Sequence, residues 1–416
     1  MRAAWLALRS ALLCALVGAA LAVPRAGAQN LPLTALPFLE ISPSPAVSAA
    51  GGAGVALAEP NPHGFLYNPA HLGLAARDAR ALSALYPGGF TDWLAHDELA
   101  LGSIALAVGF DARVGGLPLA VGVGLGQTAL RFGERVAVDE RGAALGSYEP
   151  VDRYRALALG AATTGAVRVG VGATVRHVTS TDRVLVASDG VRTEDIWGLT
   201  FDLGLLAEAD VARLLGRPRL PFGVPVQPAL SVAVGYAQAN LGGEVPYSGA
   251  AALPLPRTAR LGWSALGGLD LTTAAGPLRL VEGAFAVQAE HSLVRAGDQP
   301  GEFRYEGFLG DLDPFRHGVL GEGNDVVTGR HGWRVAVAET VAYSRGGFDG
   351  WGFTDVRTQG LEVRLAGPLK AAALLTGSGR LGELASRFDL RLTHAVVFRG
   401  EAHESTFDGL TLVVRR

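Results

Sequence analysis

Large apolar residues alternate with small or polar ones along segment after segment of this chain. Trp197, Leu199, Phe201, Leu203 and Leu205 fall on one parity, with Gly198, Thr200, Asp202 and Gly204 on the other. Leu117, Leu119, Val121, Val123 and Leu125 stand in the same way against Ala120, Gly122, Gly124 and Gly126. Phe388, Leu390 and Leu392 do so against Arg387, Asp389, Arg391 and Thr393. Successive strand side chains face opposite sides of a sheet, so each segment has one greasy face and one that accepts charge. The pattern predicts an all-β fold: a single antiparallel transmembrane β-barrel with its greasy face towards lipid and its polar face lining a lumen.

Residues 1–28 read as a signal peptide. Met-Arg-Ala-Ala-Trp is a basic start, 11–23 an apolar run, and Ala26-Gly27-Ala28 a cleavage site, so the mature chain is expected to begin at Gln29. The apolar run is too short and wrongly flanked for a spanning helix, and no later stretch is long enough for one. Ala11-Leu12-Leu13 is a poor lipobox before Cys14, so the single cysteine leaves with the signal, and no disulfide framework remains. A chain of this length holds two soluble domains or one large barrel. Losing Arg2, Arg9 and Arg25 leaves 33 basic residues against 39 acidic ones. The basic residues are scattered singly, which excludes a nucleic-acid footprint. Lys370 is the only lysine, a skew that fits genomic base composition. The 57 glycines disfavour long helices, and many lie on the polar parity. Small inward residues leave room for a plug, a loop or a permeant, although high GC content also enriches Gly and Ala.

Residues 29–78 are rich in Pro, Gly and Ala and lack the alternation, which sets them apart from a barrel over 79–416. Strands are expected near 80–87, 99–110, 117–130, 152–162, 166–180, 197–208, 228–239, 257–267, 277–292, 331–345, 359–366, 369–376, 385–399 and 407–415. A further strand is conceivable after Gln127. The total is about fourteen, an even number as bacterial barrels require. Short turns are expected at 111–116, 160–166 and Gly367-Pro368, and long polar loops at 181–196, 240–256 and 294–330. Residues 210–215 suggest a short helix. Trp93, Trp197, Trp263, Trp333, Tyr236 and Tyr343 lie near strand ends, where an interfacial girdle would sit. Glu339 resists the scheme, because its parity matches Trp333, Val335, Val337 and Val341 and sends it towards lipid unless a bulge intervenes. Arg168, Arg176, Asp202, Glu362, Arg364, Arg387, Asp389 and Arg391 are expected to form a lumenal ion-pair lattice.

The N-terminal segment reads Phe38-Leu39-Glu40-Ile41, then the small-residue run 49–58 containing Gly51, Gly52 and Gly54, then Tyr67-Asn68-Pro69-Ala70-His71-Leu72-Gly73. Motif order and spacing resemble the N-terminal signature of the PorV/PorQ family within the FadL-like outer-membrane barrels. Softer echoes are 201–205, 239–243 and Leu253-Pro254-Leu255-Pro256-Arg257 before Leu261-Gly262, and the likeness fades beyond about residue 300. The resemblance implies that Gly51, Gly52, Gly54, Asn68, Pro69 and Ala70 belong to a hatch in the barrel. The residues themselves suggest a tight segment, since the glycines admit positive φ and close approach while Asn-Pro fixes a turn. A shaped turn without gating satisfies the same residues. The chain ends Leu412-Val413-Val414-Arg415-Arg416, without the terminal aromatic common in such barrels.

No catalytic constellation is visible: there is no Gly-x-Ser-x-Gly elbow, phosphate loop, His-Glu-x-x-His helix or Cys-x-x-Cys pair. The chain is therefore read as a non-enzyme without cofactor or metal. His63, His71 and His96 match no site spacing and read as exposed loop residues. Residues 310–313 and 323–325 offer oxygen ligands but lack calcium-loop spacing. The loop 294–330, with Phe303, Tyr305, Phe308, Leu309 and Phe315, is the candidate binding surface. PorV-like members are associated with type IX secretion, which implies a translocon and secreted cargo as partners. The alternative is a FadL-like passive transporter of hydrophobic small molecules. A β-sandwich is a third reading, supported only by Glu339 and the missing terminal aromatic.

Overall fold

The computed structural model describes residues 34–415 apart from 58–60, 76–78, 90–98, 188–189, 217–225, 248–251, 274–275, 298–301, 352 and 400–402. The signal-peptide expectation, Trp93 and His96 fall outside these residues. Fourteen antiparallel strands form a closed barrel. They are β1 Ala79–Gly89, β2 Ala100–Val114, β3 Leu117–Arg131, β4 Val151–Thr163, β5 Val167–Ala187, β6 Gly190–Asp210, β7 Val226–Leu241, β8 Thr258–Thr273, β9 Gly276–Ser292, β10 Val327–Val337, β11 Val341–Gly350, β12 Phe353–Arg364, β13 Phe388–Arg399 and β14 His403–Arg415. Pairing of β1 with β14, from Ala79 opposite Arg415 to Leu85 opposite Gly409, closes the ring. Every strand then has two neighbours, and no edge is left unpaired.

The alternation sets inside and outside. On β6, Trp197, Leu199, Phe201, Leu203 and Leu205 are all exposed on the outer wall, while Thr200 and Asp202 are buried in the lumen. The start of β1, the end of β14, the hairpin turns 115–116, 164–166 and 338–340 and the helical connections Val211–Leu214 and 366–387 share one rim, the terminus rim. The long connections 132–150, 242–257 and 293–326 share the other, the loop rim.

Four local expectations are corrected. Residues 369–376 form no strand; they belong to a helix, α1 Ala366–Thr376, followed by α2 Gly379–Arg387. Gly367-Pro368 is the first turn of α1 rather than a hairpin, Gly377 closes α1 in the left-handed conformation, and the Ser378 side chain caps α2. The alanine-rich interior of α1 has no β-branched residue until its last position, so helix propensity prevails over a short apolar run. Residues 331–345 are two strands, because Ala338 and Glu339 both take positive φ in the hairpin joining β10 to β11. Glu339 is thus a turn residue whose side chain swings to the lumenal side and pairs with Lys370, which removes the objection to the barrel. Residues 181–196 are no loop: β5 and β6 run on as a long ribbon, with Arg183 opposite Glu194. The expected short helix is present as Val211–Leu214, capped by Asp210. After β3 a separate ribbon pairs Arg135–Val138 with Ala144–Tyr148 outside the barrel sheet.

The N-terminal segment 34–75 lies within the lumen, seated on glycines that meet side by side across strands. Gly122, Gly160, Gly172 and Gly204 are direct partners on four consecutive strands. A Cβ on Gly122 would come within 2.3 Å of the Leu72 carbonyl oxygen, one on Gly172 within 2.3 Å of Pro69 backbone, and one on Gly204 within 2.0 Å of Asn68 Oδ1. Gly235 approaches the Val55 carbonyl in the same way, and the paired Gly332 and Gly346 approach Ala50 and Gly51. A side chain at these positions would displace hatch backbone, or at Gly204 the Asn68 and Pro69 side chains.

Candidate functional site: a chamber above the hatch

Hatch backbone groups bond to inward strand side chains as well as within their own turns, as buried peptide groups must find partners. Gln288 Oε1 accepts from Val55 N at 2.9 Å, Ser264 Oγ donates to Ala56 O at 2.8 Å, and Thr358 both accepts from Gly51 N and donates to Ala49 O at 2.9 Å. Asn68, fully buried, is the central fastener. Its Nδ2 donates to the carbonyls of Val55 and of Leu205 on β6, each at 2.9 Å, and its Oδ1 accepts from Ala70 N at 3.0 Å. Gly51 and Gly52 have φ of 72° and 73°, and Gly54 lies under the Tyr67 ring. Gly51, Asn68 and Ala70 thus bond within this packed segment or to the wall, and Gly54 packs beneath Tyr67.

On the loop-rim side of the hatch lies a cavity of about 370 Å³. Its apolar wall comes from Phe38, Leu66, Leu130, Tyr154, Phe348 and Phe407 among others. Phe38 stacks on Tyr154 at 5.9 Å, and Phe348 meets Phe353 edge-on at 5.0 Å. The opposite wall is charged but internally paired. Arg176 is bonded to Asp202 and to Asn240 Oδ1 at 2.9 Å. Glu290 bridges Arg260 at 2.7 Å and Arg330 at 3.2 Å. The Leu66 carbonyl, at the end of the hatch turn Gly64–Leu66, accepts from both Arg176 and Arg260. Glu40 faces the open cavity, so its side chain is exposed there although protein encloses it. That enclosure, helped by Glu290, raises its carboxyl to about 7 against the opposing pull of Arg260 and Arg330.

A second cavity of about 330 Å³ lies towards the terminus rim. Its lining includes Asp270, Arg279, Glu282, Arg364, Asp389 and Arg391. Glu282 is shared by Arg279 at 2.7 Å and Arg334 at 2.8 Å, and Asp389 by Arg391 at 2.8 Å and Arg415 at 3.4 Å. The expected lattice is thus present for Arg168 with Glu208, Arg176 with Asp202, Glu362 with Arg364 and Asp389 with Arg391. Arg387 is the exception: it ends α2, is exposed and pairs with Glu383.

The five residues of the candidate binding loop do not meet in one pocket, and none lines either cavity. Phe303 lies edge-on to Tyr305 on a small ribbon, and Tyr305 lies beneath Arg257 at 3.7 Å. Phe308 packs on Tyr236 at 4.4 Å, Leu309 against the cluster of Ala259, Ala289 and Leu293, and Phe315 is exposed. The aromatic wall of the upper cavity was missed because the alternation rule assigns inward positions to small or polar residues. Leu130, Tyr154, Phe348 and Phe407 break that rule at the loop-rim ends of their strands, and this break is the signal that would have found them.

His63 and His71 are corrected from exposed to buried; burial lowers both to about 4, so they are neutral at pH 7. His63 Nε2 lies 3.1 Å from Ser103 Oγ, but His63 Nδ1 has no acidic partner and Ser103 is itself buried, so the pair lacks what a nucleophile needs. Asp313 and Asn324 cap local turns instead of facing a common cation. Among the described residues His291, Glu306 and Asp311 cluster with ligand atoms within 4.8 Å, but Arg295 bonds both carboxylates at 2.8 and 2.5 Å.

No family model matches the chain, and no curated protein does. Solved structures do. The CymD monoaromatic hydrocarbon channel aligns over 89% of this chain and 97% of its own at 11% identity and a TM-score of 0.40. The Pseudomonas putida toluene transporter TodX aligns over 93% and 98% at 10% identity and a TM-score of 0.40. A Pseudomonas aeruginosa FadL homologue aligns over 88% and 95% at 8% identity and a TM-score of 0.34.

Proposed function

We propose that this chain is a non-enzymatic barrel of the bacterial outer membrane that admits hydrophobic small molecules through its loop rim into the chamber above the hatch. The chamber carries the reading: a broad aromatic and aliphatic wall, facing charges that are largely paired with one another, offers a small apolar ligand a surface to bury against. The outer wall supports the location, since its exposed rows of Leu, Val, Phe and Trp need lipid rather than water against them. The test is saturable fluorescence enhancement of N-phenyl-1-naphthylamine by the purified barrel. Leu130→Glu or Phe407→Arg should weaken binding about tenfold or more, since each places a charge in an apolar contact. A folded barrel that binds no probe would remove the reading.

A PorV/PorQ-like role in type IX secretion, with a translocon and secreted cargo as partners, is the second reading. The N-terminal motif favours it, but Gly51, Gly54, Asn68 and Ala70 bond or pack within the hatch or against the wall. A motif so employed marks a kind of barrel and does not separate export from transport. Mild-detergent extraction from the native membrane discriminates: a large translocon subunit in fixed ratio supports export, whereas a lone barrel carrying a hydrophobic ligand supports transport.

A further inference from the structure

We propose that residues 306–322 are a membrane anchor, folded down the outside of the barrel and seated at the boundary between headgroups and acyl chains. The segment does not rise from the loop rim. Trp263 Nε1, on the outer wall of β8, donates to Val319 O at 3.0 Å. On β7, Tyr236 Oη and Gln238 Nε2 both donate to Phe308 O, the latter at 3.0 Å. Gly318 packs against Leu261, and Gly321 against Val287 of β9. Tyr236 and Trp263 each lie five residues inside the loop-rim end of their strand, roughly 16 Å along the backbone.

The pairing register gives the depth. Gln238 and Tyr236 lie opposite Leu203 and Leu205 of β6, and from there towards the loop rim β6 still presents Phe201, Leu199 and Trp197 outward, all exposed. The segment therefore lies beside the apolar band rather than above it. Its own outer surface is mixed. Phe308 is 60% exposed and Phe315 64%, with Val319 and Leu320 close behind. Arg316 and Glu322 are exposed and paired with each other at 3.0 Å, and Asp311 is bonded to Arg295. Water would not favour four exposed large apolar side chains, and hydrocarbon would reject the charges. The interfacial zone accepts both. Irregular backbone near lipid must have its polar groups satisfied. Here Asp313 caps the turn Pro314–Val319, Leu320 N bonds Phe315 O, and the wall side chains take the carbonyls of Phe308 and Val319. This also explains why Tyr236, Gln238 and Trp263 direct polar atoms outward from the wall.

The proposal rests on the membrane reading, and the experiment separates the two. Cys14 is the only cysteine of the chain. In a Cys14→Ala background, Phe315→Cys and Leu320→Cys carry an environment-sensitive dye, with Leu203→Cys as the wall reference and Arg141→Cys as the aqueous one. The barrel is reconstituted in phosphatidylcholine vesicles with brominated acyl chains, and iodide is the aqueous quencher. The expected result is loss of most emission at positions 315 and 320 to bromolipid and little loss to iodide, the reverse of position 141. Iodide quenching at 315 and 320 equal to that at 141 would place the segment in water and overturn the anchor. Shielding from both quenchers would overturn it in favour of a protein contact, a second copy included. Failure of bromolipid to quench position 203 would instead reject the membrane reading on which the anchor depends.

Discussion

Asn68 shows how much one side chain can carry. Its amide satisfies two carbonyls from different parts of the chain and holds its own turn, in a place where water cannot substitute. Asn68→Asp keeps the shape but cannot donate to Val55 O and Leu205 O. Losing both donated bonds and setting a carboxylate against the two carbonyl oxygens costs about 3 kcal/mol. The expected readout is a lower melting temperature in detergent and faster protease cleavage within 34–75, with unchanged strand content by circular dichroism. Glu40 tests the chamber itself. Its carboxyl, raised to about 7 from 4.5, is neutral in the folded barrel at pH values where it has already ionised in the unfolded chain. The contribution of the neutral form to stability is therefore full below about 4.5 and lost as pH rises through about 7. Ionisation also places a new charge facing the cavity near Glu290, Arg260 and Arg330. Binding of an uncharged hydrophobic probe should weaken between pH 5 and pH 8 in the native protein, and Glu40→Gln should remove that dependence. A variant that keeps the same pH profile would show that another group controls it.

At the scale of elements, the connection through α1 and α2 is held by the only lysine. Lys370 Nζ bonds Glu339 in the β10–β11 turn and donates to Pro277 O at 2.6 Å, so it ties the helices to two hairpins. Lys370→Met should leave Glu339 as a largely enclosed carboxylate without its counter-charge, held only by the Arg279 N–H at 3.3 Å, and cost about 3 kcal/mol. Limited proteolysis should then cut first within 366–387, and Lys370→Met with Glu339→Leu should recover part of the loss. These elements also show where sequence reasoning succeeds and fails. Period-two alternation survives in any strand with lipid on one side, so Trp197 to Leu205 was legible directly. It fails where tertiary demands replace that environment. Residues 369–376 have no lipid-facing row to keep and turn helical. Ala338 and Glu339 lack the Asn-Gly signature that would have marked their hairpin. The glycine row Gly122, Gly160, Gly172 and Gly204 was visible only as composition, because cross-strand register is set by pairing and not by sequence spacing. The chamber was hidden for a related reason: its wall is assembled from single residues on many strands.

For the whole molecule, the hatch divides one lumen into two chambers of opposite chemistry. The upper chamber has a broad aromatic and aliphatic wall, whereas the lower one is lined by shared ion pairs. An apolar molecule gains by entering the first. In the second it would displace water from charged groups that its own surface cannot solvate. The partition therefore depends on the glycine seat, which lets hatch backbone lie directly against the wall. Gly172→Leu with Gly204→Leu fills two neighbouring places of that seat while leaving the outer wall and the backbone pairing of β5 and β6 intact. Gly198→Leu is the matched control, because a Cβ there meets nothing within 4 Å. In planar bilayers the native barrel and the Gly198 variant should be electrically quiet. The double variant should show resolved single-channel currents and lose probe binding at the same time, since Phe38, Glu40 and Leu66 move with the hatch. Closure with binding intact in a folded double variant would mean that the lumen is sealed elsewhere, by the ion pairs of the lower chamber or by the loop 242–257, whose Pro254 carbonyl accepts from Ala35 N at 2.8 Å.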